Sequence, residues 1–215
     1  RIREKRWLRI NEYRFFDAGG EDFFYTIIVK DDGTLHGSNT DAFGFMANIA
    51  DVQPHWRASA GPAVVLGGGG AARAVCVALQ DGGAPEIRLL NRTHKKAENL
   101  AEDLGWPLTA YDWEERHDVL REGAFLVNTT SLGMTGIAPL DLDLSALPET
   151  ATVCDIVYAP FETPLLADAR VRGNPVIDGV GMLLHQARPG FEAWFGQAPN
   201  VTESLRQVVL SAIRK

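Results

Sequence analysis

The feature that most constrains the fold is a run of four glycines, Gly67 to Gly70, between a short apolar segment and a helix-forming segment. Val64-Val65-Leu66 before the glycines predicts a β-strand, and the alanine-rich residues after them predict a helix. Glycine lets the backbone turn sharply and has no Cβ to hold a ligand away. The first amides of a helix lack internal partners and lie at the positive end of the helix dipole. A strand, turn and helix of this kind is typical of a phosphate-binding site.

The spacing of the small residues indicates which phosphate compound this turn binds. Gly67, Gly69 and Ala72 fit the pattern G-x-G-x-x-G/A, which is the fingerprint of dinucleotide-binding folds. Glycine clusters also occur in ordinary loops, so the motif alone leaves that alternative open. The candidate residues of the turn are Gly67, Gly68, Gly69, Gly70 and Ala71.

The next predicted strand, residues 86–90, bears on the choice of dinucleotide. An NAD site needs Asp or Glu about 20 residues after the glycines, to accept a hydrogen bond from the ribose 2′-hydroxyl. This chain has a guanidinium, a hydroxyl and an ammonium group there, which suit a 2′-phosphate. A solvated helix start is the alternative, but cations oppose the dipole at that end of a helix. The sequence therefore predicts NADP(H) rather than NAD(H), held by Asn91, Arg92, Thr93 and Lys96.

Composition narrows the remaining classes. With 215 residues, 46% of them hydrophobic, the chain can form one large domain or one and a half. A net charge of −7 argues against nucleic-acid binding. The two cysteines, Cys76 and Cys154, lack metal-ligand spacing, so we expect buried free thiols, no metal site and a reducing, cytoplasmic location. The first residues lack the apolar segment of a signal peptide. Residues 62–79 are almost uncharged, but their glycines and Arg73 favour a buried strand–helix unit over a membrane span.

The order of predicted elements indicates the architecture. Strands and helices alternate after residue 62, which predicts an α/β, Rossmann-like, doubly wound parallel sheet. A hairpin around Asp31-Asp32-Gly33 and a helix through residues 43–49 precede it. The predicted strands are 63–66, 86–90, 124–128, 151–157 and 175–177, with helices at 70–81 and 94–104. From Met182 we expect a helical tail with breaks at Pro189-Gly190 and near Pro199-Asn200. The aromatic-rich segment 1–25 yields no predicted fold.

Four further segments occur in a recognisable order. They are Asn39-Thr40-Asp41, the run from Asn128 to Met134, the run from Asp155 to Leu166, and the run from Asp178 to Gln186. Together with the glycine turn and Asn91-Arg92-Thr93, this ordered set resembles the shikimate dehydrogenase family. The resemblance covers residues 26–213.

The resemblance implies an enzyme of two α/β domains that reduces 3-dehydroshikimate to shikimate with NADPH, in chorismate and aromatic amino acid biosynthesis. It implies a partial substrate domain over residues 1–57, an NADP-binding Rossmann domain over 58–181, and C-terminal helices over 182–215 that pack back on the first part. A small-molecule substrate is then the expected partner, rather than nucleic acid or membrane, and a homodimer is left open.

The resemblance also assigns roles to individual residues. It places Thr130 and Ser131 beside the cofactor, with Gly179 and Met182 near the nicotinamide. It assigns the substrate hydroxyls to three residues, of which the first is also catalytic: Asp41, Tyr158 and Gln186. From the residues alone, Met182 and Gln186 share a helix face because they are four apart, and Tyr158 follows a strand end, where ligands of open α/β sheets bind. The alternatives are a helix cap for Asp41, ordinary core for Tyr158 and ordinary surface for Gln186.

The chain departs from the family pattern in two places. The family usually has Arg where Lys96 stands, so a weaker preference for NADP is one expectation. The family's catalytic Lys belongs to a motif N-x-T-x-P-x-K that this sequence does not contain, and Tyr25 stands where the family has Asn. Catalytic competence is therefore in doubt, and an incomplete enzyme, a divergent homologue with another acid, and a non-catalytic NADP-binding module all stay open. A quinate/shikimate dehydrogenase that prefers NAD is a further alternative.

Overall fold

A computed structural model describes residues 26–213, so the aromatic-rich segment 1–25 lies outside the described residues. The first elements are two antiparallel strands, β1 (Thr26–Val29) and β2 (Leu35–Ser38). The turn between them closes with a hydrogen bond from Lys30 N to Thr34 O of 2.9 Å, and Gly33 adopts a φ of 78° there. Because a positive φ favours glycine, this turn suits its sequence. The predicted hairpin is confirmed.

Six parallel strands form the central sheet, in the order β5-β4-β3-β6-β7-β8. Within this sheet the chain passes first through the central strand β3 and then outward through β4 and β5. It then crosses back to the other side of β3, where β6, β7 and β8 follow. This order reverses between β3 and β6, and dinucleotide folds bind their ligand at such a reversal. The predicted doubly wound parallel sheet is confirmed. The strand bounds are β3 (Ala63–Leu66), β4 (Ile87–Leu90), β5 (Leu108–Tyr111), β6 (Phe125–Asn128), β7 (Thr152–Asp155) and β8 (Val176–Ile177).

Helices cover both faces of this sheet. Alternate residues of β3 point into different core clusters: Ala63 and Val65 into one, Val64 and Leu66 into the other. Strands buried on both faces are typical of parallel sheets, which explains why β3 reads as a continuous apolar run. The helices are α1 (Asp41–Val52), α2 (Gly70–Asp81), α3 (His94–Leu104), α4 (Arg116–Val119), α5 (Pro164–Arg172), α6 (Gly179–Phe195) and α7 (Glu203–Ile213), with short 3-10 turns at Ala58–Ala60 and Trp113–Glu115.

The predicted break at Pro189-Gly190 is wrong, because α6 runs through Pro189 without interruption. Proline removes one backbone hydrogen bond from a helix, but α6 is held in place by tertiary contacts before and after Pro189. Gly190 lies so close to β1 that a Cβ there would be 2.6 Å from Thr26 Oγ1, and earlier turns of α6 pack on α1. The second predicted break, near Pro199-Asn200, is confirmed by the gap between α6 and α7. Three elements, β5, α4 and α5, were not predicted from the sequence.

Two smaller predictions are also confirmed. Residues 62–79 form β3, the glycine turn and most of α2, which confirms the strand–helix unit. As a separate finding, no helix within residues 26–213 is long and apolar enough to cross a membrane. Cys76 and Cys154 are both buried and free of disulfide bonds. Burial raises the pKa of the Cys76 thiol to about 12, so this thiol stays protonated at neutral pH.

Candidate functional site

The glycine turn begins where β3 ends, and its first residue needs to be glycine for two reasons. Gly67 has a φ of 127°, which side-chain-bearing residues rarely adopt. A Cβ on Gly67 would also collide with Thr129 Oγ1. That hydroxyl is fixed, because it donates a hydrogen bond of 2.6 Å to the Leu66 carbonyl. The turn after β3 is therefore packed tightly against the loop that follows β6.

Gly69 and Gly70 are glycines for a different reason. Both are exposed, and a Cβ at either position would meet no atom of residues 26–213 within 4 Å. Packing within the described chain therefore does not require these two glycines. They leave open the space in front of the first amides of α2, where a phosphate group is stabilised by free N–H groups and the helix dipole. A pyrophosphate fits this cradle, which a side chain would narrow.

The cationic segment predicted to select NADP lies beside this turn. A Cβ on Gly68 would be 3.1 Å from Lys96 Cβ and 3.2 Å from Asn91 Cγ. Asn91 Nδ2 donates a hydrogen bond of 2.8 Å to the carbonyl of Thr93, the residue before α3. The structure therefore brings four predicted cofactor positions together: the glycine turn, Asn91, Thr93 and Lys96.

The charges of this segment are not neutralised locally. Arg92 and Lys96 are exposed, and neither forms an ion pair with any residue from 26 to 213. Their neighbour Lys95 is paired with Glu98, with an Nζ–Oε2 distance of 3.2 Å. Two unpaired cations near a helix N-terminus are electrostatically unfavourable without an anion. The arrangement therefore fits an anionic group bound beside Gly68.

The loop after β6 carries Thr130 and Ser131, and a buried amide fixes its shape. Asn128 Oδ1 accepts hydrogen bonds from Thr130 N at 3.0 Å and from Thr130 Oγ1 at 2.7 Å. Asn128 Nδ2 donates to the Leu132 carbonyl at 3.1 Å. Thr130 is half-buried and Ser131 is exposed. Both residues follow the strand next to β3, so they lie at the same sheet edge as the glycine turn.

A buried carboxylate at the end of β7 joins this loop to the next one. Asp155 Oδ1 accepts from Asn128 Nδ2 at 3.0 Å and from Val157 N at 3.0 Å. Asp155 Oδ2 accepts from Thr163 Oγ1 at 2.7 Å, and Thr163 caps α5. Burial raises the pKa of Asp155 to about 6, although these three hydrogen bonds oppose the shift. The sequence analysis gave Asp155 and Asn128 no role, although a polar residue ending a fully buried apolar strand is an available signal.

The loop after β7 carries Tyr158, which is half-buried. The first residue of α6 lies against this loop: a Cβ on Gly179 would collide with the Ile156 carbonyl and lie 2.7 Å from the Val157 carbonyl. Gly179 therefore allows α6 to start close to the end of β7. Met182, one turn later, is 6% exposed and packs in the same core cluster as Ala63 and Val65 of β3.

The other two predicted substrate-binding positions are joined by direct contacts between α1 and α6. Thr40 Oγ1 donates a hydrogen bond of 2.7 Å to the Gln186 carbonyl. A Cβ on Gly44 would be 2.7 Å from Gln186 Cβ, so the two helix backbones nearly touch. Asp41 is the first residue of α1, is 6% exposed, and its N–H donates to Asn39 Oδ1 at 2.9 Å. The residue in the N-cap position is Thr40, so the alternative of Asp41 as the cap is wrong.

A second contact holds the same two helices. A Cβ on Gly181 would coincide with Asn48 Oδ1, and Asn48 Nδ2 donates a hydrogen bond of 2.7 Å to the Asp178 carbonyl. The sequence analysis missed Thr40, Gly44 and Asn48 as positioning groups. A glycine inside a helix often has a packing reason, so Gly44 and Gly181 carried a usable signal, whereas Asn48 carried none.

Comparison with known families gives two matches along the chain. The family model described as Shikimate / quinate 5-dehydrogenase matches residues 52–137, and the model described as Shikimate 5'-dehydrogenase C-terminal domain matches residues 179–210. A shikimate dehydrogenase (NADP(+)) of Paramagnetospirillum magneticum is 60% identical over 186 residues, and one of Rhodospirillum rubrum is 57% identical over 189. Each alignment covers 86% of this chain and 67% of the relative, so the chain spans about two thirds of these proteins.

Solved structures show the same architecture. A quinate dehydrogenase of Corynebacterium glutamicum in complex with NAD has a TM-score of 0.78 and 29% identity, over 86% of this chain and 66% of that one. A shikimate 5-dehydrogenase of Thermus thermophilus, in complex with NADP(H) and shikimate, has a TM-score of 0.71 and 33% identity, over 87% and 66%.

Proposed function

The chain belongs to the shikimate dehydrogenase family, and from this membership we propose that it is an oxidoreductase that reduces 3-dehydroshikimate to shikimate with NADPH. The reaction adds a hydride to the ketone carbon and a proton to the ketone oxygen. The observation that carries the proposal is the open glycine turn beside Lys96, an exposed cation without an ion-pair partner among residues 26–213, in a chain 60% identical to a shikimate dehydrogenase (NADP(+)).

We propose that the cofactor lies along the carboxyl edge of the sheet. The glycine turn from Gly67 to Ala71 would hold the pyrophosphate, and Asn91, Arg92, Thr93 and Lys96 the 2′-phosphate. Thr130 and Ser131 would border the cofactor, with Gly179 and Met182 near the nicotinamide. When bound, NADPH supplies the hydride. The open space at Gly69 and Gly70 supports this placement, because no packing within residues 26–213 needs those positions to lack a side chain.

The substrate would be held by Asp41, Tyr158 and Gln186. Contacts with Thr40 and Gly44 fix the part of α6 that carries Gln186 relative to the start of α1, which carries Asp41. The side chains of Asp41 and Gln186 therefore extend from backbone positions that are fixed relative to each other. Asp41 would orient the reacting oxygen. A ketone reduction also needs a proton donor beside the hydride donor, so turnover is the critical test of the enzyme.

The second candidate is an NADP-binding module that does not turn over. It is favoured by a departure from the family pattern inside the sequence itself, where Tyr25 stands in place of the family's Asn. Both candidates require dinucleotide binding, so they differ only in chemistry.

One preparation distinguishes the two candidates. NADPH is titrated by its fluorescence, and oxidation of NADPH is then followed with 3-dehydroshikimate present. Binding with turnover supports the enzyme, and binding without turnover supports the module. An Asp41→Asn variant serves as the control: it should bind NADPH like the wild type and lose turnover by about 100-fold or more. A chain that binds neither NADPH nor NADH contradicts both candidates.

The domain division is also part of the proposal. Residues 26–57 would belong with the substrate domain, 58–181 would form the cofactor domain, and the helices after 182 would return to the first part. The contact between Gly190 and Thr26 and the packing of α6 on α1 support this division. We further propose a cytoplasmic protein that self-associates as a homodimer, which sedimentation analysis of the purified chain checks.

A further inference from the structure

We propose that Asp155 is a positioning residue that holds the cofactor-side loop after β6 and the substrate-side loop after β7 in one fixed relation. The inference rests on the proposed function, since it takes Thr130 and Ser131 as cofactor neighbours and Tyr158 as a substrate ligand. It adds a residue that contacts neither ligand and still governs both.

A single carboxylate oxygen of Asp155 links the two loops. Asp155 Oδ1 accepts one hydrogen bond from the side chain of Asn128, the last residue of β6, which holds the first loop, and one from Val157 N, which belongs to the second loop. The two donors are 29 positions apart in the sequence and share only this acceptor. The loops therefore cannot shift independently without leaving a buried donor unpaired, which is costly.

On the cofactor side, Asp155 acts on the loop after β6 through the orientation of the Asn128 side-chain amide. Because Nδ2 of Asn128 donates to Asp155, Oδ1 of Asn128 faces the other way and accepts both the N–H and the hydroxyl of Thr130. Thr130 Oγ1 in turn accepts from Leu132 N at 3.0 Å. A carboxylate that accepts hydrogen bonds only is the group that selects this orientation of the amide.

The link to the substrate side is shorter. Val157 N is held directly by Asp155, and Tyr158 is the next residue. The second oxygen, Oδ2, accepts from Thr163, the residue that caps α5. Asp155 thus fixes the loop after β7 at both its start and its end. Both Asp155 and Asn128 have 0% exposure, so water does not replace a lost partner at these atoms.

This arrangement predicts an unusual pattern of ligand affinities. Asp155→Ala should weaken NADPH binding and shikimate binding together, each by about ten-fold, because displaced loops misplace groups that contact the ligands. Asp155→Asn should stay within about three-fold of wild type for both ligands, since its carbonyl oxygen still accepts from Asn128 and Val157 and its amide donates to Thr163. Fluorescence titration of NADPH and calorimetric titration of shikimate measure the two affinities.

The variant Val153→Ala distinguishes a positioning role of Asp155 from a general effect on stability. Val153 is buried in the same strand, two residues before Asp155, and its truncation lowers stability without touching either loop. It should leave both affinities unchanged at temperatures where the variant is folded, as verified by circular dichroism. If Asp155→Ala does not fold, Asp155→Ser carries the same expectation, because its hydroxyl is too short to serve both donors.

Each outcome decides the matter. Parallel losses in Asp155→Ala, with retention in Asp155→Asn and Val153→Ala, support the inference. A loss confined to one ligand, no loss, or an equal loss in Val153→Ala overturns it while leaving the proposed function intact. If the wild-type chain binds neither NADPH nor shikimate, the proposed function is overturned, and the inference with it.

Discussion

At the scale of single residues, Arg92 and Lys96 have the clearest functional signature, because they are cations without an anionic partner in the part of the chain that the structure describes. Most surface lysines and arginines gain little from an ion pair, so lack of a partner alone means little. Their location is more informative: Arg92 precedes α3, whereas Lys96 lies in its first turn and adjoins Gly68. An anion there would relieve an unfavourable interaction with the helix dipole.

Arg92→Ala should therefore weaken NADPH binding by about ten-fold or more, while NADH binding changes little. A charge-assisted hydrogen bond is worth roughly 1.5–3 kcal/mol, which converts to a factor of about 10 to 100 in affinity. Fluorescence titration with both coenzymes measures the ratio. Lys95→Ala is the matched control, because Lys95 is also an exposed cation near the start of α3 but is paired with Glu98. Equal losses for NADPH and NADH would contradict the assignment of Arg92 to the 2′-phosphate.

The glycines of the turn allow a second test at the residue scale. Gly69→Ala should lower dinucleotide affinity by about ten-fold while costing less than about 1 kcal/mol of stability, because an added Cβ meets no atom of residues 26–213 and the φ of −104° suits alanine. Gly67→Ala should instead reduce stability strongly, through its positive φ and its collision with Thr129. Thermal unfolding and NADPH titration of both variants separate the two roles. Unchanged affinity in Gly69→Ala would remove the pyrophosphate from this turn.

At the scale of elements, the close approach of α1 and α6 is the contact that the site depends on most. Two glycines let the helices meet closely: Gly44 lies against the backbone and Cβ of Gln186, and Gly181 lies against the side chain of Asn48. Thr40 and Asn48 each donate a hydrogen bond across the contact. These helices carry Asp41 and Gln186. Their separation would move the proposed substrate ligands apart even though the sheet remained intact.

Gly181→Ala should destabilise the protein by about 1–3 kcal/mol, against the expectation from helix propensity. Alanine favours a helix over glycine by about 1 kcal/mol, but here the new methyl would coincide with Asn48 Oδ1. Overpacking costs about 1–3 kcal/mol, and displacing Asn48 also endangers its hydrogen bond to the Asp178 carbonyl. Urea unfolding measures the difference. Ala187→Gly, at an exposed position of α6, calibrates the propensity contribution, and a stabilised Gly181→Ala would show that the helices can separate freely.

The elements also show what the sequence could predict. The strands β3, β4, β6 and β7 were predictable because each lies in a predominantly buried and apolar segment with clear ends. The missed strand, β5, is an edge strand whose burial falls off along its length, so it lacks such a run. The missed helix α5 has weak amphipathic character, but it does have a Thr163 cap, Pro164 in its first turn and Gly173 with a positive φ at its end. These end signals were sufficient to predict it.

At the scale of the whole molecule, the strand order explains why so much of the candidate site was predictable. The segments after β3, β6 and β7 are far apart in the sequence, yet their strands are neighbours in a parallel sheet, so all three loops lie at one edge. Residues that follow strand ends can therefore be predicted to lie close together from the strand order alone, without knowledge of their side-chain contacts. The contacts between α1 and α6 were not predictable in this way, because they depend on the packing of helices outside the sheet rather than on strand order.

The buried carboxyl of Asp155 gives the whole protein a pH dependence of definite sign. An unfolded aspartate titrates near 3.8, whereas burial raises the pKa of Asp155 in the folded chain to about 6. Between these values the folded state holds the proton more often than the unfolded state, so the free energy of unfolding falls as the pH rises. The stabilisation is complete below the unfolded pKa and is lost once the pH passes about 6. A shift of this size corresponds to roughly 3 kcal/mol at most.

Other carboxyl groups act in the opposite direction, which is why a variant is needed to isolate this contribution. Hydrogen bonding to Arg88, for example, lowers the pKa of Glu86, so that group loses stabilisation as the pH falls. Asp155→Asn leaves such groups unchanged and removes only the titrating carboxyl. Its stability relative to wild type should therefore rise between about pH 4 and pH 7, by up to roughly 3 kcal/mol. Urea unfolding of both proteins across this range measures the difference. Parallel curves would mean that Asp155 is ionised as readily in the folded chain as in the unfolded one, so that its three hydrogen bonds fully offset the effect of burial.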